Sequence, residues 1–207
     1  MVQTIAFVLG SRPHGEADRL YTIFSPDLGK VWAVAKSVRK SGAKLPGHLD
    51  FPNRSWVMLV PTAKNLSSGT GQGWQITQAL EEDTYGGIRR DAKKFRAALR
   101  GATLIRDFVV EAEPDRVLWG LWSSFLRELD RADKHDEHEF LFSQFAAHAL
   151  HHLGFLPDIA HHAGLLPKAR DVLRVSLGGV WMARSSESRM ISEFVGSALE
   201  EARRHMV

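Results

Sequence analysis

The amino-acid sequence predicts an α+β protein in which a small antiparallel barrel of five strands precedes a mainly α-helical domain. Two patterns carry this prediction: short apolar runs bounded by turn residues fill the first eighty residues, and apolar residues at helical spacing follow them. The 207 residues are 44% hydrophobic and 25% charged, which is enough apolar material for a core and excludes disorder for most of the chain. We expect two domains, residues 1–80 and 81–207.

The five strands are predicted from apolar and β-branched runs that end at Gly, Pro or polar residues. Their ranges are Val2–Leu9, Leu20–Phe24, Val31–Val38, Ser55–Val60 and Trp74–Leu80. Ser11–Gly15 is expected to form a turn, and Ser67–Gly73 the flexible tip of a hairpin. Because five strands in so short a stretch leave no room for crossover helices, the pattern favours a closed antiparallel barrel, of which the OB-fold is the best-known example of this size.

Apolar stripes predict four helices in the second domain. The stripes run over Ile88–Val109, Val117–Leu129 with Pro114 in the first turn, Phe142–Leu153 with Gly154 as the stop, and Met190–Leu199 within a helix over Ser186–His205. A small β-hairpin is expected near residues 172–184, turning at Gly178-Gly179.

The composition excludes several classes of protein. The chain has no cysteine, so disulfides, thiolate zinc sites, iron–sulfur clusters and cysteine nucleophiles are excluded. Residues 1–10 lack the basic start and cleavage site of a signal peptide, and no stretch has the length of apolar sequence that spans a bilayer. We therefore expect a soluble, cytoplasmic protein.

Charge is distributed unevenly along the chain. Residues 1–80 carry nine Lys/Arg against four Asp/Glu, and residues 89–106 carry seven against one, whereas residues 107–139 carry ten acids against four bases. A single basic run often only solvates a surface, but two consecutive runs favour a polyanionic partner, above all a nucleic acid.

The candidate DNA-binding residues come from these two runs, because long basic side chains can each pair with a phosphate. They are Lys30, Lys36, Arg39, Lys40, Lys44 and Arg54 in the barrel and Arg89, Arg90 and Lys93 in the first helix. The helix would share a surface with the barrel loop if it packs on the barrel, or could simply face water. Trp32, Trp56 and Trp74 are candidates for base stacking, and filling or covering the barrel core is the alternative for each.

Ten histidines raise the question of a metal site. His148 and His152 have the spacing that places two imidazoles on one ion, but Ala149 stands where a catalytic glutamate would follow, and histidine is common on solvated helix faces. No phosphate loop and no nucleophile motif is present. We therefore predict no catalytic residue, metal or cofactor, and no enzyme.

An ordered series of short segments resembles the RecO family of bacterial recombination mediators. The segments are Gly15–Leu20, Leu28–Val31, Ala33–Lys40, Leu45–Leu49, Ile76–Ala79, Leu153–Pro157 and the Gly178-Gly179 pair. The resemblance implies an OB-fold on a helical domain, without catalytic turnover. It also implies binding of single- and double-stranded DNA, annealing of complementary strands, assistance to RecA loading with RecR, and a place at the bacterial nucleoid.

The sequence departs from the family at a metal site. Many members carry two cysteine pairs, where this chain reads Ile159–Gly164 and Val180–Ser185. All four thiolates are missing, so a structural zinc of that kind cannot form.

The resemblance further implies that the helical domain takes the acidic, Phe-ending tail of single-strand-binding protein. Such a groove needs aromatic and basic residues. The sequence offers Trp119, Trp122, Phe142 and Phe145 with Arg127, Arg131, Lys168 and Arg170, although core packing explains the aromatics equally well. Two other functions stay open: an OB-fold module for RNA or protein, and a His-metal hydrolase.

Overall fold

The computed structural model describes residues 1–62, 66, 73–133, 137–155 and 188–205. Five strands come first: β1 (Val2–His14), β2 (Asp18–Ser25), β3 (Gly29–Ala35), β4 (Arg54–Thr62) and β5 (Gly73–Asp83). A short helix, α1 (Leu45–His48), lies between β3 and β4. The remaining helices are α2 (Gly86–Arg90), α3 (Ala92–Phe108), α4 (Arg116–Arg131), α5 (Glu137–His152) and α6 (Ser188–His205).

The chain forms two compact units. The first comprises Met1–Gly86 and Ala102–Trp119, and the second comprises Gly87–Gly101 and Gly120–Val207. The domain division at residues 80 and 81 stays a prediction. Within the described residues, no helix is both long and apolar enough to cross a membrane.

The first unit contains the predicted barrel. Its strands close in the order β1-β2-β3-β5-β4, with every pair antiparallel except β3 and β5. Alternate side chains point inward and form one apolar core, which includes Tyr21, Ile23, Val31, Val57 and Leu59. This closed five-stranded order, followed by helices, confirms the predicted OB-fold and helical region.

β1 is longer than predicted, and the turn expected at Ser11–Gly15 begins later in the chain. Its pairing with β2 runs from Phe7↔Phe24 to His14↔Asp18, so Ser11–His14 are part of the strand. The register of β1 with β4 covers only Val2–Phe7. Pro13 therefore lies where β1 is an edge strand, a position that tolerates a residue without an N–H donor.

β3 is shorter than the predicted Val31–Val38. It ends at Ala35, and Ser37 adopts a left-handed backbone with φ of 57°. The Asp18 carboxylate accepts a 2.7 Å hydrogen bond from the Ser37 backbone N–H, which stabilises the turn. Lys36 consequently lies in a turn rather than on a strand.

The first predicted helix is two helices that are separated at Asp91. The Asp91 carboxylate accepts hydrogen bonds from the backbone N–H groups of Lys93 and Lys94, 2.8 and 3.1 Å long, so it caps the start of α3. In the same way Asp115 accepts a bond from the Leu118 N–H and caps α4. Both helix starts use acidic N-caps that a search for apolar spacing does not weigh.

An aromatic cluster forms the core of the second unit. Trp122, Phe125 and Phe145 are fully buried, with ring centroids 4.8–5.7 Å apart, and Phe142 is buried beneath the Arg100 guanidinium. Three of the aromatics considered for a peptide groove therefore fill this core. By contrast Leu99 and Val117, which were assigned to apolar stripes, are exposed.

The bounds of α5 and α6 agree in part with the predicted ones. Gly154 adopts a left-handed φ of 79° just after α5, as predicted for the stop of that helix. The final helix begins at Ser188, two residues after the predicted start. The hairpin near 172–184 and the tip over 67–72 lie outside the described residues.

Candidate nucleic-acid interface

The outer surface of β1, β2 and β3 carries a tryptophan on an apolar base. Leu20, Val34 and Leu66 form a small cluster against which Trp32 packs. Leu20, Trp32 and Val34 alternate along their strands with the inward-facing core, so they lie outside the barrel. In OB-folds the corresponding face of strands 2 and 3, with the adjoining loops, binds oligonucleotides.

Arg12 lies on the same outer surface. Its guanidinium carbon is 5.3 Å from the centroid of the Trp32 ring, within the range of a cation–π contact. The strand register accounts for this contact, because Arg12 pairs with Leu20 while Trp32 pairs with Thr22 in the next row. Arg12 itself is exposed.

A cleft of about 360 Å³ opens beside this pair. It is lined by Gly10, Ser11 and Arg12 of β1, Leu20 and Thr22 of β2, Trp32 of β3, and Arg106 and Asp107 at the end of α3. The Arg106 guanidinium also donates a 3.0 Å hydrogen bond to the Thr103 hydroxyl. An aromatic ring, two guanidinium groups, hydroxyl groups and one carboxylate, that of Asp107, thus surround one space.

Lys30 holds the end of α3 in place rather than projecting freely. Its Nζ donates a 2.6 Å hydrogen bond to the backbone carbonyl oxygen of Arg106. Burial lowers the pKa of the half-buried ammonium, while the carboxylates of Glu111 and Asp107 act in the opposite direction. Lys30 therefore makes a contact within the first unit, and its role as a phosphate contact stays a prediction.

The loop over residues 36–44 carries the other basic groups of the first unit, and we call it the basic loop. Lys36, Arg39, Lys40 and Lys44 are all exposed on it. No ion pair in the described part of the chain involves any of these four side chains.

Two contacts hold the basic loop beside the turn between β1 and β2. The Arg39 backbone N–H donates to the Ala17 carbonyl at 2.9 Å, and the Arg39 guanidinium donates to the Gly15 carbonyl at 3.2 Å. The turn directly follows the end of β1 that carries Arg12. The basic loop and the outer surface therefore adjoin within one unit.

The other predicted contacts lie elsewhere. Arg54 begins β4 and its Nε is 3.5 Å from the Glu82 carboxylate, so its charge is partly balanced. Trp74 packs against the barrel core and Trp56 lies half-buried on β4. The exposed Arg89, Arg90 and Lys93 belong to the second unit. Their role, like that of every site residue named from the sequence, stays a prediction.

Sequence reasoning missed two arginines of the cleft. The sequence predicts a turn at Arg12 and marks Arg106 only as part of a basic helix. One feature of the sequence could have indicated the position of Arg12. The pair Ser11-Arg12 directly follows an apolar strand and is compatible with a polar continuation of that strand. Nothing local marks Arg106, because its neighbours at the cleft come from strands far away in the sequence.

The histidines do not assemble a metal site in the part of the chain that the structure describes, where no group of three or more metal-binding side chains comes together. His148 is buried and His152 is exposed, so the pair is divided between two environments. Burial, with a smaller effect of His151, lowers the pKa of His148 to about 4. His161 and His162 lie outside the described residues.

Two family profiles for one kind of protein match most of the chain. The family profile described as "Recombination protein O N terminal" matches residues 1–71, and the one described as "Recombination protein O C terminal" matches residues 89–168. A DNA repair protein RecO of Dehalococcoides mccartyi is 31% identical over 76% of this chain. Proteins of the same name from Geobacter metallireducens and Roseiflexus sp. are 30% and 28% identical over 78% and 76% of it.

The chain spans about half to three fifths of the length of these relatives: 58%, 62% and 51% in the order given. The first profile covers β1 to β4 of the barrel, and the second begins at residue 89, in the helical region. The resemblance seen in the sequence is thereby confirmed, and the chain belongs to the RecO family.

Proposed function

We propose that this protein binds single- and double-stranded DNA and acts in DNA repair by homologous recombination. The observation that supports this most is the position of the basic loop beside the outer surface of the barrel that carries Trp32 and Arg12. Exposed cations would meet the phosphates there, and the ring would lie where an OB-fold receives an oligonucleotide.

Membership of a family whose relatives are named DNA repair proteins supports the wider role. As part of the same proposal, the protein anneals complementary strands and assists RecA loading with RecR, in the bacterial cytoplasm on nucleoid DNA. Each of these steps consists of binding and release of DNA or of a protein partner, so we propose no catalytic residue and no cofactor. Electrostatic capture would bring two strands to one surface and reduce the repulsion between their phosphates.

The protein partners rest on the family alone. RecR is one, and the acidic tail of single-strand-binding protein is the other. For the tail, Trp122, Phe142 and Phe145 are buried in the core of the second unit, so they would not supply the aromatic slot. Arg127 and Arg131 are exposed on α4 and could still meet its carboxylates.

The test is the salt dependence of binding to a labelled DNA strand, measured by fluorescence anisotropy. If about five basic groups meet phosphates, log K against log salt should have a slope near −3.5, since each contact on a single strand contributes about −0.7. A slope shallower than about −1 would contradict the proposal. Strands coated with single-strand-binding protein, mixed with and without this protein, then test annealing directly.

RNA binding is the main alternative that the same surface would serve. A matched RNA strand in the anisotropy assay separates the two, because phosphate contacts alone do not distinguish them whereas specific readout of the 2′-hydroxyl does. Tighter binding of RNA than of DNA by more than about tenfold would favour the alternative.

A further inference from the structure

We propose that the cleft between Arg12, Trp32 and Arg106 is a site for one unpaired nucleotide of a DNA single strand, and that Arg12 occupies the ring until a base replaces it. This inference rests on the proposed function and makes it more specific. It concerns only the first unit of the structure.

β1 is irregular where Arg106 approaches it. The register of β1 with β2 shifts between Val8 and Gly10, which indicates a bulge. A Cβ on Gly10 would lie 2.8 Å from Nη1 of Arg106, so only glycine leaves room for the guanidinium in its present place. The Lys30 ammonium donates a hydrogen bond to the backbone carbonyl of Arg106 and so fixes the backbone at this residue.

The walls of the cleft match the parts of a nucleotide. The Trp32 ring offers an aromatic face for a base, and Arg12 and Arg106 supply two positive charges for a phosphate. Hydroxyl groups of Ser11 and Thr22 add hydrogen-bonding groups on the strand side. A volume of about 360 Å³ lies at the small end of the range for ligand sites, about 300–1,000 Å³, which suits one nucleotide rather than a base pair.

The ring would select unpaired bases. In a duplex both faces of each base are covered by its neighbours, so stacking on Trp32 requires that a base leave the stack, which costs free energy. A single strand offers such bases at lower cost. The basic loop would bind either form of DNA, whereas the cleft would add affinity for the single strand alone.

Arg12 is suited to exchange places with a base. Its side chain is exposed and projects from the edge-strand part of β1. Its guanidinium covers the ring by a cation–π contact. When a base stacks on the ring, Arg12 can move by side-chain rotation to the adjacent phosphate. The indole then stays covered in the free protein and in the complex.

The experiment compares a thymidine octanucleotide with an abasic octanucleotide of the same phosphate count. For the unaltered protein we expect the thymidine strand to bind at least about fivefold tighter, the lower end of what one base–aromatic stack contributes. Trp32→Leu should reduce that ratio to about one, and Trp32→Phe should keep most of it. Arg116→Ala, which removes an exposed arginine paired with Asp27, should leave the ratio unchanged.

A second measurement observes Trp32 directly in the unaltered protein and uses a variant only for assignment. With 5-fluorotryptophan incorporated, the Trp32 resonance, assigned through Trp32→Phe, should shift on addition of the thymidine strand and much less with the abasic strand. The five other tryptophans serve as internal references.

The outcomes are distinguishable. Equal affinity for the two strands, with a steep salt slope, would overturn the nucleotide site and leave the proposed DNA binding intact. Absence of binding to either strand would refute both. Thymidine monophosphate alone binding as tightly as the octanucleotide would also overturn the inference, because the cleft would then be a site for a free nucleotide.

Discussion

The ammonium group of Lys30 donates a hydrogen bond to the backbone carbonyl of Arg106, two residues before the end of α3. The last carbonyls of a helix have no partner within the helix, and a cation near them is favourable. The bond ties the start of β3 to the helix end that carries Arg106 and Asp107 into the cleft. Lys30, which the sequence suggested as a DNA contact, thus has a supporting position in the fold.

Replacing this lysine should therefore affect stability more than DNA binding by charge. We expect Lys30→Met to lower the free energy of unfolding by about 1–2 kcal/mol, because a hydrogen bond from a charged donor is lost. Relief of the cost of burying the ammonium offsets part of this loss. Urea denaturation measures this. The salt slope of single-strand binding should stay the same. A slope that is shallower by about 0.7 with unaltered stability would show instead that Lys30 meets a phosphate.

The basic loop should show the opposite behaviour. We expect replacement of Arg39, Lys40 and Lys44 together by Ala to make the salt slope shallower by about 2, since each lost contact removes about 0.7. Unfolding should change little, because these side chains are exposed and exposed charges contribute little to folding.

A matched control removes the same net charge elsewhere. Arg116, Arg203 and Arg204 are exposed and lie outside the proposed surface, so their joint replacement by Ala should leave the slope within about 0.7 of the original value. If the two triple variants weaken binding equally, net charge rather than the basic loop controls affinity.

The barrel could be predicted from the sequence because its strands are short apolar runs with turn residues at almost every boundary. The exceptions have physical causes that lie outside the run of sequence concerned. The turn at Ser37 depends on a carboxylate from Asp18, and the edge position of Pro13 depends on how far β4 extends along β1. Both depend on contacts between segments that are apart in the sequence, and a single run of sequence does not contain them.

The candidate site was less predictable than the fold, since its members are distant in sequence. Lys30 and Arg106 are 76 residues apart, and Arg12 meets Trp32 across two strand pairs. Counting basic residues could identify a positive region but could not separate a lysine used inside the fold from those that are exposed. That distinction requires the three-dimensional contacts.

His148 should make stability depend on pH. Its pKa is lowered from an ordinary value of 6.5 to about 4 by burial, so between these values the unfolded chain binds a proton that the folded protein does not. Stability is therefore complete above about pH 6.5 and falls as the pH drops toward 4. The loss over this window is of the order of 3 kcal/mol, at about 1.4 kcal/mol for each pH unit.

Urea denaturation at several pH values between 4 and 7 tests this dependence. His148→Leu should flatten the curve through that window, whatever its effect on stability at neutral pH. His151→Gln, an exposed change on the same helix, should keep most of the pH dependence. An unaltered curve in His148→Leu would mean that other groups cause acid destabilisation.

Gly10 offers a way to alter the cleft without removing any of its polar groups. In Gly10→Ala the new Cβ would meet the Arg106 guanidinium, which is the far end of a flexible side chain and can move aside. We therefore expect the free energy of unfolding to change by less than about 1 kcal/mol. Affinity for the thymidine octanucleotide and for the abasic strand should both fall several-fold, because Arg106 leaves the position from which it would contact the phosphate that the two strands share. Gly47→Ala is the control, since no described heavy atom lies within 4 Å of its added Cβ. Full affinity in a folded Gly10→Ala protein would show that the position of Arg106 does not matter for DNA binding.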